Sequence, residues 1–198
     1  MALTDHHDVF IGATFDGHTF LVLNRPIPGA VHMLTGAGFT VRRHQGRTLY
    51  LLPPDTAEDA HERAGVAAYG LMAHTHDLVD LAWTTRHYDG GQNPPDVTFQ
   101  FTDGTVTATA ATDAAHAVLV RHGFTTTGQE RHYLLTDALS ERTTLHAVVS
   151  AEAHLHAHGV SVHVDLGIAT VADIPPAPPR PNPEPMSAPN SAVIRRTR

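Results

Sequence analysis

AVHMLTGAGFTVRRHQGRTLYLL, residues 30–52, is the stretch that decides the fold, because the chain contains it twice. The second copy, residues 115–135, reads AHAVLVRHGFTTTGQERHYLL. Five positions recur 85 residues later, and they pair as Ala30 with Ala115, Leu34 with Leu119, Gly38 with Gly123, Phe39 with Phe124 and Thr40 with Thr125. After a shortening of two residues, the Tyr-Leu-Leu run at 50–52 recurs at 133–135. The repeat therefore predicts two halves of similar construction.

The shortening keeps the strand register of the second copy. Side chains on a strand alternate between its two faces, so removing an even number of residues leaves the later ones on their proper faces. Apolar residues before each Gly-Phe junction recur at helical spacing, and a polar or basic turn separates the strands that follow it. Each copy therefore predicts a short helix followed by a β-hairpin.

The sequence around each copy extends the pattern. An Asp-Gly pair separates β-branched runs at 9–15 and 18–23, and another separates runs at 97–102 and 105–110, which predicts two-residue hairpins. A longer helix follows each copy. Its start is predicted from capping-box spacing at 55–58 in the first half and from Ser140 in the second, and Thr112 or Asp113 caps the shorter helix of the second half. Strands at 77–83 and 160–166 complete the halves.

Each half therefore reads β-β-α-β-β-α-β, and the predicted class is α+β. The inner βαββαβ order is ferredoxin-like, with one extra hairpin strand before it. We expect a tandem duplication that forms a pseudo-dimer, with a first repeat at 9–84, a linker at 85–96, a second repeat at 97–173 and a disordered Pro-rich tail at 174–198. Many proteins share this order of elements, so the fold predicts no activity.

Composition excludes several kinds of site. The chain has 198 residues and no Cys, so disulfides, thiolate metal sites and Cys nucleophiles are excluded. All 13 basic residues are Arg, and the net charge of −7 disfavours general binding to phosphate backbones. The apolar runs are far shorter than the roughly 20 residues that a membrane helix needs. No signal-peptide pattern begins the sequence, so we expect a cytoplasmic protein without a membrane partner.

The first candidate binding site is the hairpin of the first copy. Arg42, Arg43, His44 and Arg47 concentrate positive charge there, and Arg suits bidentate contact with carboxylate or phosphate. The second copy has TTTGQERH at the same place, so the basic character belongs to one half. The alternative is a solvated edge strand whose charges prevent pairing with other sheets.

The second candidate is a group of histidines. His154 and His158 are four residues apart on a predicted helix, and His163 and Asp165 follow on one strand face, so these side chains could form a metal site. The alternative is that these histidines bind no metal. A His near a helix C-terminus is stabilised by the helix dipole, and a chain with 17 His will contain such pairs by composition alone. We therefore predict no cofactor and keep metal as the alternative.

The function that follows is a non-enzymatic binding module whose partner is a protein. The sequence contains no nucleophile elbow, no phosphate-binding glycine loop and no obvious pair of catalytic carboxylates. One alternative is a nucleic-acid-binding accessory protein that uses Arg42, Arg43 and Arg47 with the basic end of the tail at Arg195, Arg196 and Arg198. The other is a His-ligated metal enzyme, or a small-molecule sensor with its site between the repeats. The tail also carries Pro179-Arg180-Pro181, which could dock in an aromatic groove.

Overall fold

The computed structural model describes residues 2–54, 57–81, 94–102, 105–135 and 140–179. Within these ranges the chain is a mixed α+β protein with four α-helices and two five-stranded sheets. The first half contains β1 (Val9–Ala13), β2 (Thr19–Leu23), α1 (Ala30–Gly36), β3 (Thr40–His44), β4 (Arg47–Leu52), α2 (Ala57–Met72) and β5 (Leu78–Asp80). The second contains β6 (Val97–Thr102), β7 (Thr105–Ala110), α3 (Asp113–Arg121), β8 (Phe124–Thr126), β9 (His132–Leu135), α4 (Glu141–Ala157) and β10 (Val162–Asp165).

The two sheets have the same strand order. The first runs β3-β4-β2-β1-β5 and the second runs β8-β9-β7-β6-β10. In each sheet the first and last strands of the half are parallel and every other pair is antiparallel. When the strands are numbered from the start of each half, their order across both sheets is third, fourth, second, first and fifth. The predicted order of elements along the chain is present in both halves.

The sheet order differs from a plain ferredoxin-like sheet. In that fold the four strands of the βαββαβ unit would be neighbours, which would place β5 beside β2. Here β1 lies between β2 and β5, because it pairs antiparallel with β2 on one side and parallel with β5 on the other. The extra strand is therefore an interior strand of each sheet.

Local signals explain the boundaries of several elements. The side-chain oxygens of Thr112 and Ser140 accept hydrogen bonds from the backbone N–H groups of Ala115 and Thr143, which confirms both as helix N-caps. The predicted two-residue turn at Asp16-Gly17 is wrong. The Thr14 N–H donates to the His18 carbonyl oxygen at 2.9 Å, so the loop between them has three residues. The last of these, Gly17, has a φ of +88°.

Strands β1, β2 and β4 of the first sheet are buried on both faces. One face packs against α1 and α2 around Ile11, Leu21 and Leu34. The other face belongs to the core cluster that also contains the second half, and it presents the fully buried rings of Phe10 and Phe20. Burying each of these rings stabilises the fold by roughly 1.5–3 kcal/mol.

The second sheet has one open face. Strand pairing places Phe10, Gly12, Phe20 and Val22 of the first sheet at the positions of Thr98, Gln100, Thr107 and Thr109 of the second. The first set is inaccessible or nearly so, while the second set is half-buried or exposed. Equivalent positions are therefore apolar where a sheet face is covered and polar where it meets solvent.

A segment that follows β10 contributes to the cover of the first sheet. Leu166, Ile168, Val171 and Ile174 are buried in the same cluster as Phe10 and Phe20. The N–H groups of Phe15 and Asp16 donate to the carbonyls of Ile168 and Ala169, at 2.9 and 3.1 Å. A Cβ atom on Gly12 would lie 2.7 Å from Leu166 Cδ1, so the glycine permits this close approach.

Several predictions concern residues outside the described ranges. These are the turn at Asp103-Gly104, the cap at Asp55-Thr56, most of the predicted linker, Arg180, and the basic end of the tail. The predicted tail begins at Ile174, which is buried, and residues 175–179 are described beside the hairpin of β3 and β4. Among the described helices, none is long and apolar enough to span a membrane.

Candidate functional site at the basic hairpin

The candidate site is built on the hairpin that β3 and β4 form at the edge of the first sheet. Gln45 and Gly46 connect the strands with φ of +42° and +83°, the two positive values that a type I′ turn requires. The pair next to the turn, His44 and Arg47, lies directly opposite in the register. The predicted turn at Gln45-Gly46 is therefore present.

The register divides the predicted basic cluster between two faces. Arg42 lies opposite Leu49, and His44 lies opposite Arg47, on the face covered by the C-terminal segment. Arg43 lies opposite Thr48 and therefore shares the face of α1 with Tyr50. The four residues do not form one patch.

Arg47 is an internal anchor. Its side chain is 5% exposed, and its Nη2 atom is 2.6 Å from Asp5 Oδ1 and 2.7 Å from the carbonyl oxygen of Pro176. Its Nη1 atom donates to Thr4 Oγ1 at 2.9 Å. Arg47 ties the N-terminal segment and the C-terminal segment to the hairpin and is not available to a partner.

Arg42 and Arg43 are accessible. All residues of β3 from Thr40 to Arg43 are exposed, and no acidic partner is found for Arg42 or Arg43 within the described chain. His44 is half-buried, and its Nε2 atom lies 3.1 Å from the carbonyl oxygen of Ile174. The accessible charge of the hairpin therefore resides in two arginines that point to opposite faces of one edge strand.

A cleft of about 640 Å³ adjoins the α1 face of the hairpin. Arg25, Arg43 and Arg47 line it together with Tyr50, the start of α1 and the C-terminal segment at Ala177 and Pro178. Arg25 is paired with Asp8 at 2.9 Å and Arg47 is paired with Asp5, which leaves Arg43 as the uncompensated charge of the cleft. Burial raises the pKa of Tyr50, and the nearby Arg43 offsets part of this, so the phenol stays protonated at neutral pH.

The second half has a counterpart of this cleft with different chemistry. Its cavity is about 530 Å³ and is lined by Asp113, Glu130 and Arg131 beside Tyr133, which occupies the position of Tyr50. The Tyr133 hydroxyl and His116 Nδ1 are 2.8 Å apart. This cleft has both signs of charge, and its edge strand β8 has three residues where β3 has five. The two clefts therefore differ in the charge that they offer a ligand.

The predicted histidine group is only partly brought together. His154 and His158 have ring centroids 5.1 Å apart at the end of α4. Val164 is in the core with α4, so His163 points to the opposite face of the sheet and away from that pair.

The sequence did not single out His122, at the end of α3, whose Nε2 atom is 3.2 Å from His154 Nδ1. Burial lowers the pKa of His122, and the nearby His154 and Arg121 lower it further. No group of three or more His, Asp or Glu among the described residues is arranged to hold a metal ion.

A second polar cluster, which sequence reasoning missed, connects the two halves. His7 Nδ1 is 2.8 Å from Asp77 Oδ1, and Arg142 Nη2 is 2.5 Å from the same oxygen. His6 contacts Glu141, the residue before Arg142. Burial raises the pKa of Asp77, but the hydrogen bond from His7 and the charge of Arg142 outweigh it and leave the pKa below 3.8. The signal was hard to find because His7, Asp77 and Arg142 are far apart in the sequence.

We predict that Asp77→Asn destabilises the protein by about 0.5–1.5 kcal/mol at pH 7 and hardly at all near pH 2. A carboxylate whose pKa is lower in the folded chain adds stability above its unfolded pKa of 3.8, and this stability is lost as the pH falls through the folded pKa. Urea unfolding of both proteins between pH 2 and 7 measures the difference. Asp59→Asn is the control, because its carboxylate is 65% exposed. A difference that stays constant over this pH range would contradict the prediction.

No protein-family model matches the chain, and comparisons with curated proteins and with solved structures find no match.

Proposed function

We propose that the chain is a non-enzymatic binding module and that its partner is a protein with an extended acidic segment. The observation that carries this is the outer edge of β3, which pairs with no second strand among the described residues, is exposed from Thr40 to Arg43, and has Arg42 and Arg43 unpaired by any described acid. A peptide can add a strand to such an edge, because main-chain hydrogen bonds supply affinity while side chains on alternate faces supply specificity.

The register identifies the backbone groups that an added strand would use. In a hairpin closed by a two-residue turn, the pair beside the turn exchanges both backbone hydrogen bonds, and such pairs alternate along the ladder. His44 is therefore bonded to β4, and so is Arg42, while Val41 and Arg43 direct their N–H and C=O groups outward. These outward groups are the ones that an incoming strand would meet.

The charges select the partner. An added strand places alternate side chains over Arg42 on one face and over Arg43 and its cleft on the other. Acidic residues on both faces would satisfy both arginines, and the protonated Tyr50 hydroxyl in the cleft can donate to a carboxylate. A nucleic acid is the weaker candidate, because the arginines diverge and the chain carries a net charge of −7.

We also propose that the two halves arose by duplication and that only one of them kept or gained the binding edge. We infer that both halves descend from one unit of ferredoxin-like order with an added first strand, arranged as a pseudo-dimer in a cytoplasmic protein. Support comes from the identical strand orders and from the equivalent tyrosines, Tyr50 and Tyr133. The halves then diverged at the hairpin, where only the first has the long edge strand and the unpaired arginines.

We expect the protein to bind a fluorescein-labelled peptide of alternating valine and glutamate, with affinity that weakens as salt increases. Arg43→Glu should weaken binding at least about tenfold, because it replaces attraction by repulsion. Val41→Pro should weaken it by about five- to tenfold, because proline removes an outward N–H group while leaving the bonds to β4 intact. Fluorescence anisotropy measures both effects.

Matched controls separate the alternatives. Val41→Thr keeps the N–H group, and Arg121→Glu changes an exposed arginine at the end of α3, so both should bind the peptide as the unmodified protein does. Equal binding of a lysine-containing peptide, or tighter binding of a single-stranded oligonucleotide, would reject the acidic protein partner. Peptide binding that survives both Arg43→Glu and Val41→Pro would remove β3 as its site.

A further inference from the structure

We propose that the outer face of α2 is a dimer interface, on which α2 of a second copy of the chain packs antiparallel about a twofold axis. Seven large apolar side chains are exposed among the described residues, and three of them, Val66, Tyr69 and Met72, lie on this helix. Successive members are three residues apart, so they form one stripe. The stripe is separate from the edge of β3, and the proposal does not depend on the acidic partner.

The equivalent helix of the second half lacks this stripe. Leu71 of α2 and Leu155 of α4 are both fully buried and 84 residues apart. The strands that follow, which begin at Leu78 and Val162, have the same place in each sheet and the same offset. At this offset the three apolar residues of the stripe correspond to a half-buried or exposed set of smaller or polar residues, Ser150, Ala153 and His156. Only α2 therefore places large apolar side chains on its accessible face.

The stripe contains a projecting ring and a hollow that can receive one. Tyr69 is 83% exposed. One turn earlier, Gly65 lines a surface hollow of about 500 Å³, and nothing lies within 4 Å of a Cβ atom added to it. Because the two residues are four apart on one helix face, an antiparallel second copy places each Tyr69 over the Gly65 of the other copy. A twofold interface requires this kind of self-complementary surface.

Charge favours a second copy of the chain as the occupant. The first half of α2 carries two exposed acids, Glu62 and Asp59, and Asp59 also pairs with Arg63. Two exposed histidines, His74 and His76, follow the end of the helix. An antiparallel pair brings the acidic end of each helix to the histidine end of the other, where imidazole N–H groups can donate to carboxylates. The helix dipoles are also opposed in this arrangement, which is favourable.

The size of the stripe sets the expected affinity. A single face of a 16-residue helix is at the lower end of the areas that specific complexes bury. We therefore expect a reversible dimer with a dissociation constant on the order of 10 µM.

Sedimentation velocity of the full chain between about 1 and 300 µM tests the interface. Tyr69→Glu should weaken dimerisation at least about tenfold, because it removes the projecting ring and adds a charge. Gly65→Leu should weaken it similarly by filling the hollow, while its higher helix propensity should raise the melting temperature of the monomer. Loss of the dimer in that variant would therefore not reflect unfolding. Ala153→Glu is the matched control, because it changes the equivalent exposed position of α4 and should leave dimerisation unchanged.

Single cysteines test the direction of the helices, because the chain has no Cys of its own. In the proposed pair the two copies of Val66 lie about 3 Å apart along the helix axis, while those of Glu62 lie about 15 Å apart. Val66→Cys should therefore form a disulfide-linked dimer on oxidation with diamide, whereas Glu62→Cys should not. Val120→Cys, at an exposed position of α3, is the control for random collision.

Three results would overturn the proposal. A chain that remains a monomer up to about 300 µM would exclude a second copy as the occupant of this face. A dimer that survives both Tyr69→Glu and Gly65→Leu would place the interface elsewhere. Cross-linking of Glu62→Cys or Val120→Cys as efficient as that of Val66→Cys would exclude the antiparallel pair.

Discussion

Asp5→Ala is expected to lower the free energy of unfolding by about 3–5 kcal/mol, because it leaves a buried arginine without its counter-charge. Asp5 and Arg47 are 4% and 5% exposed in their side chains, with Nη2 and Oδ1 2.6 Å apart. The guanidinium keeps its bonds to Thr4 and to the carbonyl of Pro176, but neither carries a compensating charge. Urea denaturation at pH 7 measures the loss.

The exposed pair of Asp59 and Arg63 provides the control. These residues are one helical turn apart on α2, and their charged atoms are 3.6 Å apart with side chains 65% and 38% exposed. Asp59→Ala should therefore change stability by less than about 1 kcal/mol. Arg47→Met with Asp5→Leu removes both charges and should recover much of the loss. If Asp5→Ala costs no more than Asp59→Ala, the pair is not a buried anchor.

Gly167→Ala is expected to destabilise the protein by about 2–5 kcal/mol, through backbone strain and steric overlap together. Gly167 has φ of +68°, and an added Cβ would lie 2.8 Å from the carbonyl oxygen of Phe101. That oxygen belongs to the strand beside β10, so it cannot move without disturbing the sheet. The residue turns the chain from the second sheet toward the face of the first.

Gly159→Ala measures the cost of backbone strain alone, without steric overlap. Gly159 has φ of +72°, with nothing within 4 Å of an added Cβ. Its replacement should cost only about 1–2 kcal/mol. Thermal denaturation of the two variants in parallel gives the comparison, and equal losses would mean that the contact with Phe101 is harmless.

The sequence predicted the order of the elements because each half repeats its local signals. Periodicity, the caps at Thr112 and Ser140 and the turn at Gln45-Gly46 all depend on near neighbours in the chain. The position of β1 inside the sheet was not predicted, because it depends on the pairing of β1 with β5, which is distant in sequence and gives no local signal. The contrast between Phe10 and Thr98 is present in the sequence, but its meaning requires the register.

The sequence predicted which basic residues lie in the hairpin, but it did not predict how their side chains are arranged. Four basic residues in one hairpin suggested one patch, yet strand alternation separates Arg42 from Arg43, and the pairing with Asp5 buries Arg47. Asp5 is distant in sequence and gives no local signal. The contact between His122 and His154 was missed for the same reason, since only the packing of α3 on α4 brings their rings together.

The cover that the segment after β10 contributes to the first sheet has a consequence for synthesis of the chain. The apolar face around Phe10 and Phe20 shares its cluster with Leu166, Ile168 and Ile174. A ribosome makes the chain from its N-terminus, so the first half emerges complete in its own elements yet without this cover. The corresponding face of the second sheet is rich in threonine and meets solvent. Until residues 166–174 are made, the apolar face of the first sheet lacks this part of its cover, and it is therefore the sheet face of a nascent chain that exposes large apolar side chains.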